Sequence, residues 1–159
     1  MNFEIRLIKE NEIEEAAKVY AAAFNNADVE ESWTDKSAIK FISHWFKKQP
    51  DLFLVATHEE KILGGVVAEI VPYFDGNNLT GAELFVDPES QGQGIAKKLL
   101  MSILEEAIKK YGVTFFSGIA NKKADFPLRW YQKLGMKKTR WIFIEGDANK
   151  ILHSLKEKK

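Results

Sequence analysis

The chain has 159 residues, a formal net charge of zero and no cysteine, and 45% of its residues are hydrophobic and 29% charged. These numbers predict one globular domain over residues 1–159, and the lack of cysteine excludes disulfides, cysteine nucleophiles and thiolate metal sites. No apolar run is long enough to span a membrane and no signal-peptide pattern is present, so we expect a cytoplasmic protein with no membrane partner.

Apolar periodicity and turn residues predict ten regular elements followed by a C-terminal tail. In chain order they are a strand over 3–8, a helix over 11–24, a second helix that Thr34 or Asp35 caps and Pro50 stops, and strands over 51–57, 61–73 and 80–86. They continue with a helix over 94–111, a strand over 113–119, a helix over 127–134 and a strand over 137–145, and a short basic helix is expected within the tail 147–159.

The order of these elements predicts an α/β fold. Asn11 and Glu14 have the spacing of a capping box for the first helix. The three strands between residues 51 and 86 follow one another through short links, which favours antiparallel pairing. A strand, the helix over 94–111 and a further strand then imply a parallel crossover. We therefore expect a central mixed, mostly antiparallel sheet flanked by helices, in the order β-α-α-β-β-β-α-β-α-β.

The most informative segment is the junction between the strand that ends at Val86 and the helix over 94–111. Its turn contains, in succession, Gln91, Gly92, Gln93, Gly94, Ile95 and Ala96. The beginning of a helix presents free backbone N–H groups and the positive end of the helix dipole, which together suit a phosphate or pyrophosphate. The glycines let a ligand approach the backbone closely. The alternative is a glycine-rich turn with no ligand.

Two motifs carry a family resemblance. The Q-x-x-G-x-A run over 91–96 resembles the acetyl-coenzyme A motif of the GNAT acetyltransferase superfamily. The later run W-Y-Q-K-L-G-M over 130–136 resembles that family's second signature, and the two stand in the family's order. The resemblance covers roughly residues 3 to 145 and implies the GNAT fold, with acetyl-CoA as co-substrate and no metal. A homodimer is left open, because dimers are common in the family.

The resemblance also implies which residues bind the cofactor. The pyrophosphate would lie on the N–H groups of residues 91–96, where glutamine replaces the family's more usual arginine at position 91. The backbone of Leu84, Phe85 and Val86 would pair with the pantetheine arm as an added strand does. One N–H of that strand would stabilise the oxyanion. Asn121 would contact the cofactor, although it precedes Tyr131 by ten positions, a wider gap than usual.

For catalysis, the resemblance implies direct attack of an amine on bound acetyl-CoA. Tyr131 corresponds to the family tyrosine that protonates the leaving thiolate. Glu83 precedes the cofactor-binding strand end, where several family members have a base, and Glu69 and Tyr73 on the preceding strand are rival candidates. The alternative for each residue is an ordinary structural role.

The acceptor is expected to be a small-molecule amine or a peptide. Glu30, Glu31 and Trp33 lie in the segment that usually shapes the family's acceptor pocket, and Tyr73 is a further candidate. Acidic and aromatic groups suit an ammonium ion. Residues 1–80 carry 8 basic and 14 acidic side chains, for a charge of −6, and residues 81–159 carry 15 and 9, for +6. This asymmetry suits an amine and a phosphorylated cofactor, and solvated surface charge is the alternative.

Other functions are less well supported. The three histidines have no metal-ligand spacing, and the basic residues are scattered, so we expect no metal and no nucleic acid. A nucleotide-binding α/β domain would normally begin with a parallel βαβ unit. The remaining alternative is a non-catalytic module on the same fold that binds acetyl-CoA or another protein.

Overall fold

The computed structural model describes residues 2–25, 31–121 and 125–157. The chain divides into two compact units, residues 1–121 and residues 122–159. The strands are β1 (Glu4–Leu7), β2 (Phe53–His58), β3 (Lys61–Tyr73), β4 (Gly76–Val86) and β5 (Val113–Phe116). The helices are α1 (Ile13–Asn25), α2 (Asp35–Lys48), α3 (Ile95–Tyr111), α4 (Asp125–Lys133) and α5 (Ala148–Glu157).

The first unit contains one five-stranded sheet whose spatial order follows the chain, β1-β2-β3-β4-β5. Its first four strands pair antiparallel, and β5 pairs parallel to β4. Short links join the antiparallel pairs β2–β3 and β3–β4, and α1 and α2 lie between the antiparallel strands β1 and β2. The parallel pair needs a crossover, which α3 supplies. The predicted mixed, mostly antiparallel sheet flanked by helices is confirmed.

The sheet is buried on both faces. Phe53 and Val55 of β2 belong to the main apolar cluster, which includes α1 and α2, and both side chains are fully buried. Leu54 and Ala56 are also buried and point to the opposite side, because side chains alternate along a strand. Helix α3 packs against β2, β3 and β4. The sheet therefore lies between a layer formed by α1 and α2 and a layer formed by α3.

Several predicted boundaries are confirmed. Helix α2 follows the N-cap Thr34, whose hydroxyl accepts the backbone N–H of Ser37 at 3.2 Å, and it ends before Pro50. Strand β3 covers the predicted residues 61–73. Helix α3 ends at Gly112, whose φ of 60° is the left-handed conformation that glycine adopts most easily.

The start of the first helix differs from its prediction. A 3-10 turn over Glu10–Glu12 precedes α1. The backbone N–H of Lys9 donates to the carboxylate of Glu12 at 2.8 Å, so the predicted capping box of Asn11 and Glu14 is wrong. Arg6 of β1 forms an ion pair with the same carboxylate at 2.6 Å. The glutamate of the capping box is therefore Glu12, two residues earlier than the predicted Glu14.

The final strand predicted over residues 137–145 is also absent, which corrects the last β of the predicted order. The structure assigns no strand there, and Trp141, Ile142, Phe143 and Ile144 are largely exposed. High β propensity produces a strand only where a neighbouring strand accepts it. Within the part of the chain that the structure describes, this segment has no such partner. Helix α5 then occupies most of the tail, as predicted.

Two glycines in the middle of β3 allow the strand to pack closely against Phe85 of β4. A Cβ added to Gly64 would lie 2.5 Å from the Phe85 carbonyl oxygen, and one added to Gly65 would lie 2.6 Å from the Cζ atom of its ring. The glycines look like weak points in a strand sequence, but here they leave the space that the Phe85 ring fills. They thereby fix the part of β4 that precedes the glycine turn.

Candidate functional site

The glycine turn leads directly into α3. Gly92 and Gly94 have φ values of 76° and 82°, and apart from their chain neighbours no atom of the described residues lies within 4 Å of a Cβ placed on either. Gly94 is the N-cap of α3, and among the described residues no side-chain cap accepts a hydrogen bond there. The amides that begin α3 are therefore uncapped by side chains, next to backbone that presents no Cβ. This geometry suits an anion at the start of the helix.

Hydrogen bonds on the sheet side hold this turn in place. The backbone N–H of Asp87 donates to the Leu63 carbonyl at 2.9 Å, and the hydroxyl of Ser90 donates to the Asp87 carboxylate at 3.2 Å. The side chain of Gln91 donates to the Val86 carbonyl at 3.2 Å. The side chain of Gln91 thus stabilises the turn. A ligand at this position would therefore contact the Gln91 backbone.

The edge of β4 opens just before the glycine turn. Pairing with β5 covers only residues 77–79 of β4, and a bond from the Ser117 N–H to the Leu79 carbonyl at 3.0 Å follows it. Beyond Thr80, among the described residues, β4 pairs with β3 alone. The register between β3 and β4 also shifts here, and Gly81 has a φ of 64°. Such a bulge bends a strand and increases its local twist, so the backbone of residues 84–86 has an edge free for another extended chain.

Glu83 is the one acidic side chain of β4, and it is half-buried. It lies opposite Val67 of β3, on the same face as Phe85 and therefore beneath α1 and α2. The hydroxyl of Tyr20 donates to its Oε2 atom at 3.3 Å. Burial raises the pKa of Glu83 to about 7 and outweighs the lowering effect of the Tyr20 hydrogen bond, and the charge of Glu31 adds a smaller raising effect. A carboxyl with this pKa can take up and release a proton near neutral pH.

The two rival base candidates are in different environments. Glu69 forms an ion pair with Lys48, with 2.7 Å between the Lys48 Nζ and Glu69 Oε2 atoms, so its carboxylate already has a cationic partner. Tyr73 is 59% exposed near the tip of the β3–β4 hairpin. It lies six positions beyond Val67, or about 20 Å along the strand. The structure does not bring Tyr73 together with Glu83.

The segment before α2 contributes Glu31 and Trp33. The indole N–H of Trp33 donates to the Glu31 carboxylate at 2.7 Å. Asn25 at the end of α1 binds the Trp33 backbone twice, at 2.7 and 2.8 Å. These contacts fix Trp33 next to Tyr20, with ring centroids 5.1 Å apart. The structure therefore brings two of the predicted acceptor residues to the vicinity of Glu83, while Glu30 lies outside the described residues.

Sequence reasoning did not identify Tyr20 as a site residue. Its spacing with Phe24 on α1 predicts an apolar helix face, and the side chain is indeed buried, with 2% of it exposed. Only the packing of α1 across β4 brings its hydroxyl to Glu83. A tyrosine at a core position, where phenylalanine would pack equally well, was the one available signal.

The second unit contains Tyr131. It lies on α4, where its ring is 5.1 Å from that of Trp130, and its carbonyl accepts the backbone N–H of Met136 at 3.1 Å. Gly135 has a φ of 91° and closes this helix, as the signature motif predicts. Asn121 is the last residue of the first unit.

The described residues contain no group of three or more histidine, aspartate or glutamate side chains arranged to hold a metal ion. No helix within them has the length and apolarity needed to cross a membrane.

Comparison with known proteins agrees with this geometry. The model of the acetyltransferase (GNAT) family matches residues 13–136. An acetyltransferase of Sodalis glossinidius is 29% identical over 131 residues, which make up 82% of this chain and 84% of that protein. The solved structure of PH1933 from Pyrococcus horikoshii is 25% identical with a TM-score of 0.72, covering 91% of this chain and 93% of that one.

A further solved structure has the same fold. It is AAC(6')-Iy in complex with the bisubstrate analogue CoA-S-monomethyl-acetylneamine, with a TM-score of 0.69 at 18% identity. It covers 93% of this chain and 100% of that one.

Proposed function

Because the chain belongs to the acetyltransferase (GNAT) family, we propose that it transfers an acetyl group from acetyl-CoA to a primary amine of a small molecule or peptide. The observation that carries this proposal is Glu83, a half-buried carboxyl whose pKa is raised to about 7. It lies one residue before the stretch of β4, Leu84–Val86, whose edge is not paired with β5. A base beside a free strand edge has the position required to deprotonate an amine that attacks a bound thioester.

The co-substrate would be bound mainly by backbone. The uncapped amides at the start of α3 suit its pyrophosphate, and Lys97 and Lys98, both exposed, follow in the first turn, which holds no acidic residue. Gly92 and Gly94 have no side chains, so a phosphate can approach the backbone there, which supports the same assignment. The open edge of residues 84–86 suits the amides of the pantetheine arm, as in strand addition. Asn121 is an additional candidate contact.

In the proposed reaction, bound acetyl-CoA supplies the thioester as the electrophile. Glu83 accepts a proton from the acceptor amine, directly or through a water molecule, as the new C–N bond forms. A backbone N–H of residues 84–86 stabilises the oxyanion. By the family resemblance, Tyr131 would supply the proton that the sulfur takes up as the C–S bond breaks, since a thiol of ordinary pKa, about 8.5, needs only modest assistance to leave.

We propose further that the acceptor carries a second positive charge. Glu31 lies close enough to Glu83 for its charge to raise the pKa of that group, and the Trp33 indole holds it in place. Neither carboxylate has a cationic side chain within ion-pair distance among the described residues. Two carboxylates beside an aromatic ring favour a dication. Glu30 and Tyr73 remain candidates for more distant parts of such an acceptor.

Calorimetric titration tests the cofactor assignment first. Acetyl-CoA and desulfo-CoA should bind with micromolar affinity, whereas ATP should give no heat. Absence of binding by all three would refute the assignment of the α3 N-terminus. Binding of acetyl-CoA without turnover of any amine would favour the non-catalytic module instead.

Release of CoA with paired amines tests the acceptor class. Diaminobutane should react with a higher kcat/KM than butylamine, and Glu31→Gln should remove most of that preference. Glu105→Gln, which neutralises an exposed carboxylate on α3, is the control and should retain it. Equal rates for the two amines in the parent protein would contradict a dicationic acceptor.

A further inference from the structure

Tyr20 has a hydroxyl placed deep in the core with one polar partner. Its ring is held by four other aromatic rings, with centroid distances of 4.4 Å to Phe24, 5.1 Å to Trp33, 5.2 Å to Phe41 and 5.4 Å to Phe85. These contacts come from α1, the segment before α2, α2 itself and β4. The ring therefore cannot turn without disturbing three elements, and its hydroxyl has a fixed position.

That hydroxyl reaches only one acceptor in the described part of the chain, Oε2 of Glu83 at 3.3 Å. The other oxygen, Oε1, has no hydrogen-bond partner there. We propose that Tyr20 is a positioning residue for the Glu83 base: its buried hydroxyl engages Oε2, orients the carboxylate and leaves Oε1 for the proton of the acceptor. This inference rests on the proposed function, in which Glu83 is the base.

The hydrogen bond also determines how readily Glu83 ionises. A phenol that donates to a carboxylate favours the charged form, so it lowers the pKa of Glu83 against the opposing effect of burial. Burial is the main cause that holds the pKa of Tyr20 well above its ordinary value, and the negative charge of Glu83 adds to it. Tyr20 therefore stays protonated and acts as a permanent donor rather than as an acid.

The other groups near Glu83 do not duplicate this contact. Glu31, from the segment before α2, is acidic and acts in the opposite direction. The residue opposite on β3 is the apolar Val67, and Lys48 of α2 is occupied by Glu69. Tyr20 is thus the one group among the described residues that favours the ionised form of Glu83 through a hydrogen bond.

The test is Tyr20→Phe in the full-length chain, which keeps the packed ring and removes the donor. Tyr111→Phe is the matched control, because the Tyr111 hydroxyl likewise donates to a carboxylate, that of Asp51, outside the proposed site. The first readout is carbon-13 NMR titration of the glutamate carboxyl groups, with the Glu83 signal assigned by its absence in Glu83→Gln. It requires neither acetyl-CoA nor an acceptor.

We expect Tyr20→Phe to raise the pKa of Glu83 by about one unit, as loss of one hydrogen bond to a charged group implies, and Tyr111→Phe to leave it unchanged. With diaminobutane as acceptor, kcat/KM of Tyr20→Phe should fall about fivefold at neutral pH and recover at higher pH, since about one-tenth of Glu83 would then be ionised instead of half. The KM for acetyl-CoA should not change.

The outcomes separate the two proposals. An unchanged pKa of Glu83 in Tyr20→Phe would overturn the positioning role, whatever the activity. A rate loss that is the same at every pH, with a lower melting temperature, would also overturn it and indicate a packing role. If Glu83→Gln keeps the parent's rate and pH profile, the assignment of Glu83 as the base fails, and the NMR shift would then report only the contact between the two side chains.

Discussion

At the scale of single residues, the site is defined by one carboxyl with an unusual environment. Glu83 is half-buried beneath aromatic side chains, and its pKa rises to about 7 because burial disfavours its charge. Glu69, two positions beyond Val67 on β3, instead forms an ion pair with Lys48. Both glutamates lie on strands, but the fold gives Glu83 the hydroxyl of Tyr20 as its partner and gives Glu69 the ammonium group of Lys48.

The raised pKa predicts a pH-dependent stability cost. Below the ordinary pKa of about 4.5, Glu83 is protonated in both the folded and unfolded chains and contributes no difference. As the pH rises to about 7, the unfolded chain loses this proton more readily, so the free energy of unfolding falls, by about 3 kcal/mol in total. Glu83→Gln should therefore stabilise the protein near pH 8 and have little effect near pH 4.

Urea unfolding of the two proteins across this pH range measures the effect. Glu105→Gln, an exposed glutamate on α3, is the control and should give parallel curves. If the Glu83→Gln and parent curves were also parallel, the carboxyl would have an ordinary pKa, and its role as a base near neutral pH would lose its support.

At the scale of elements, each end of α3 carries a glycine in the left-handed conformation. Gly94 precedes the helix with a φ of 82° and Gly112 follows it with a φ of 60°. In the part of the chain that the structure describes, only adjoining residues come within 4 Å of a Cβ added to either. Only the first faces the uncapped amides that we propose as the phosphate site. Substitutions of Gly94 and Gly112 therefore form a matched pair, in which Gly112 is the control for Gly94.

Gly94→Ala and Gly112→Ala should each lower the free energy of unfolding by about 1 to 2 kcal/mol, because alanine is strained in the left-handed region. Only Gly94→Ala should also weaken acetyl-CoA binding, by about tenfold or more, since its Cβ would lie where the pyrophosphate approaches. Thermal unfolding and calorimetric titration of both variants check the two halves of this prediction. Equal affinity of both variants for acetyl-CoA would contradict the assignment of the phosphate site to this turn.

At the scale of the whole molecule, a zero net charge conceals an acidic first half and a basic second half. The charge is −6 over residues 1–80 and +6 over residues 81–159. Acidic groups near Glu83 suit a cationic acceptor, and lysines at the start of α3 suit a phosphorylated co-substrate. The charge pattern thus favours two ligands of opposite sign on one chain.

This pattern predicts that acetyl-CoA binding depends on salt. The dissociation constant should rise several-fold when the ionic strength increases from about 0.05 M to about 0.3 M, because the Debye length shortens below about 10 Å. Pantetheine, which lacks the phosphates, is the control probe and should bind with little salt dependence. A similar salt effect on both compounds would show that the basic residues do not act on the phosphates.

Much of the fold follows from local patterns. The bounds of β3, the N-cap of α2 and the glycine that ends α3 depend on turn residues and periodicity, which act over a few positions. The glycine turn at residues 91–96 is of the same kind, and it led directly to the family. The strand prediction for residues 137–145 was wrong because a strand requires a partner strand, which the residues of the segment do not specify.

The sequence by itself predicted the element order from β1 to α4, the glycine turn before α3 and the family, because each depends on residues that are close together along the chain. Only the tertiary structure showed that Glu83 is half-buried and that Glu69 pairs with Lys48, since both depend on helices packed across the sheet. It also decided the partner of Tyr20, which is 63 positions away along the chain. The pKa of a side chain is determined by its surroundings, and those surroundings exist only after the chain has folded.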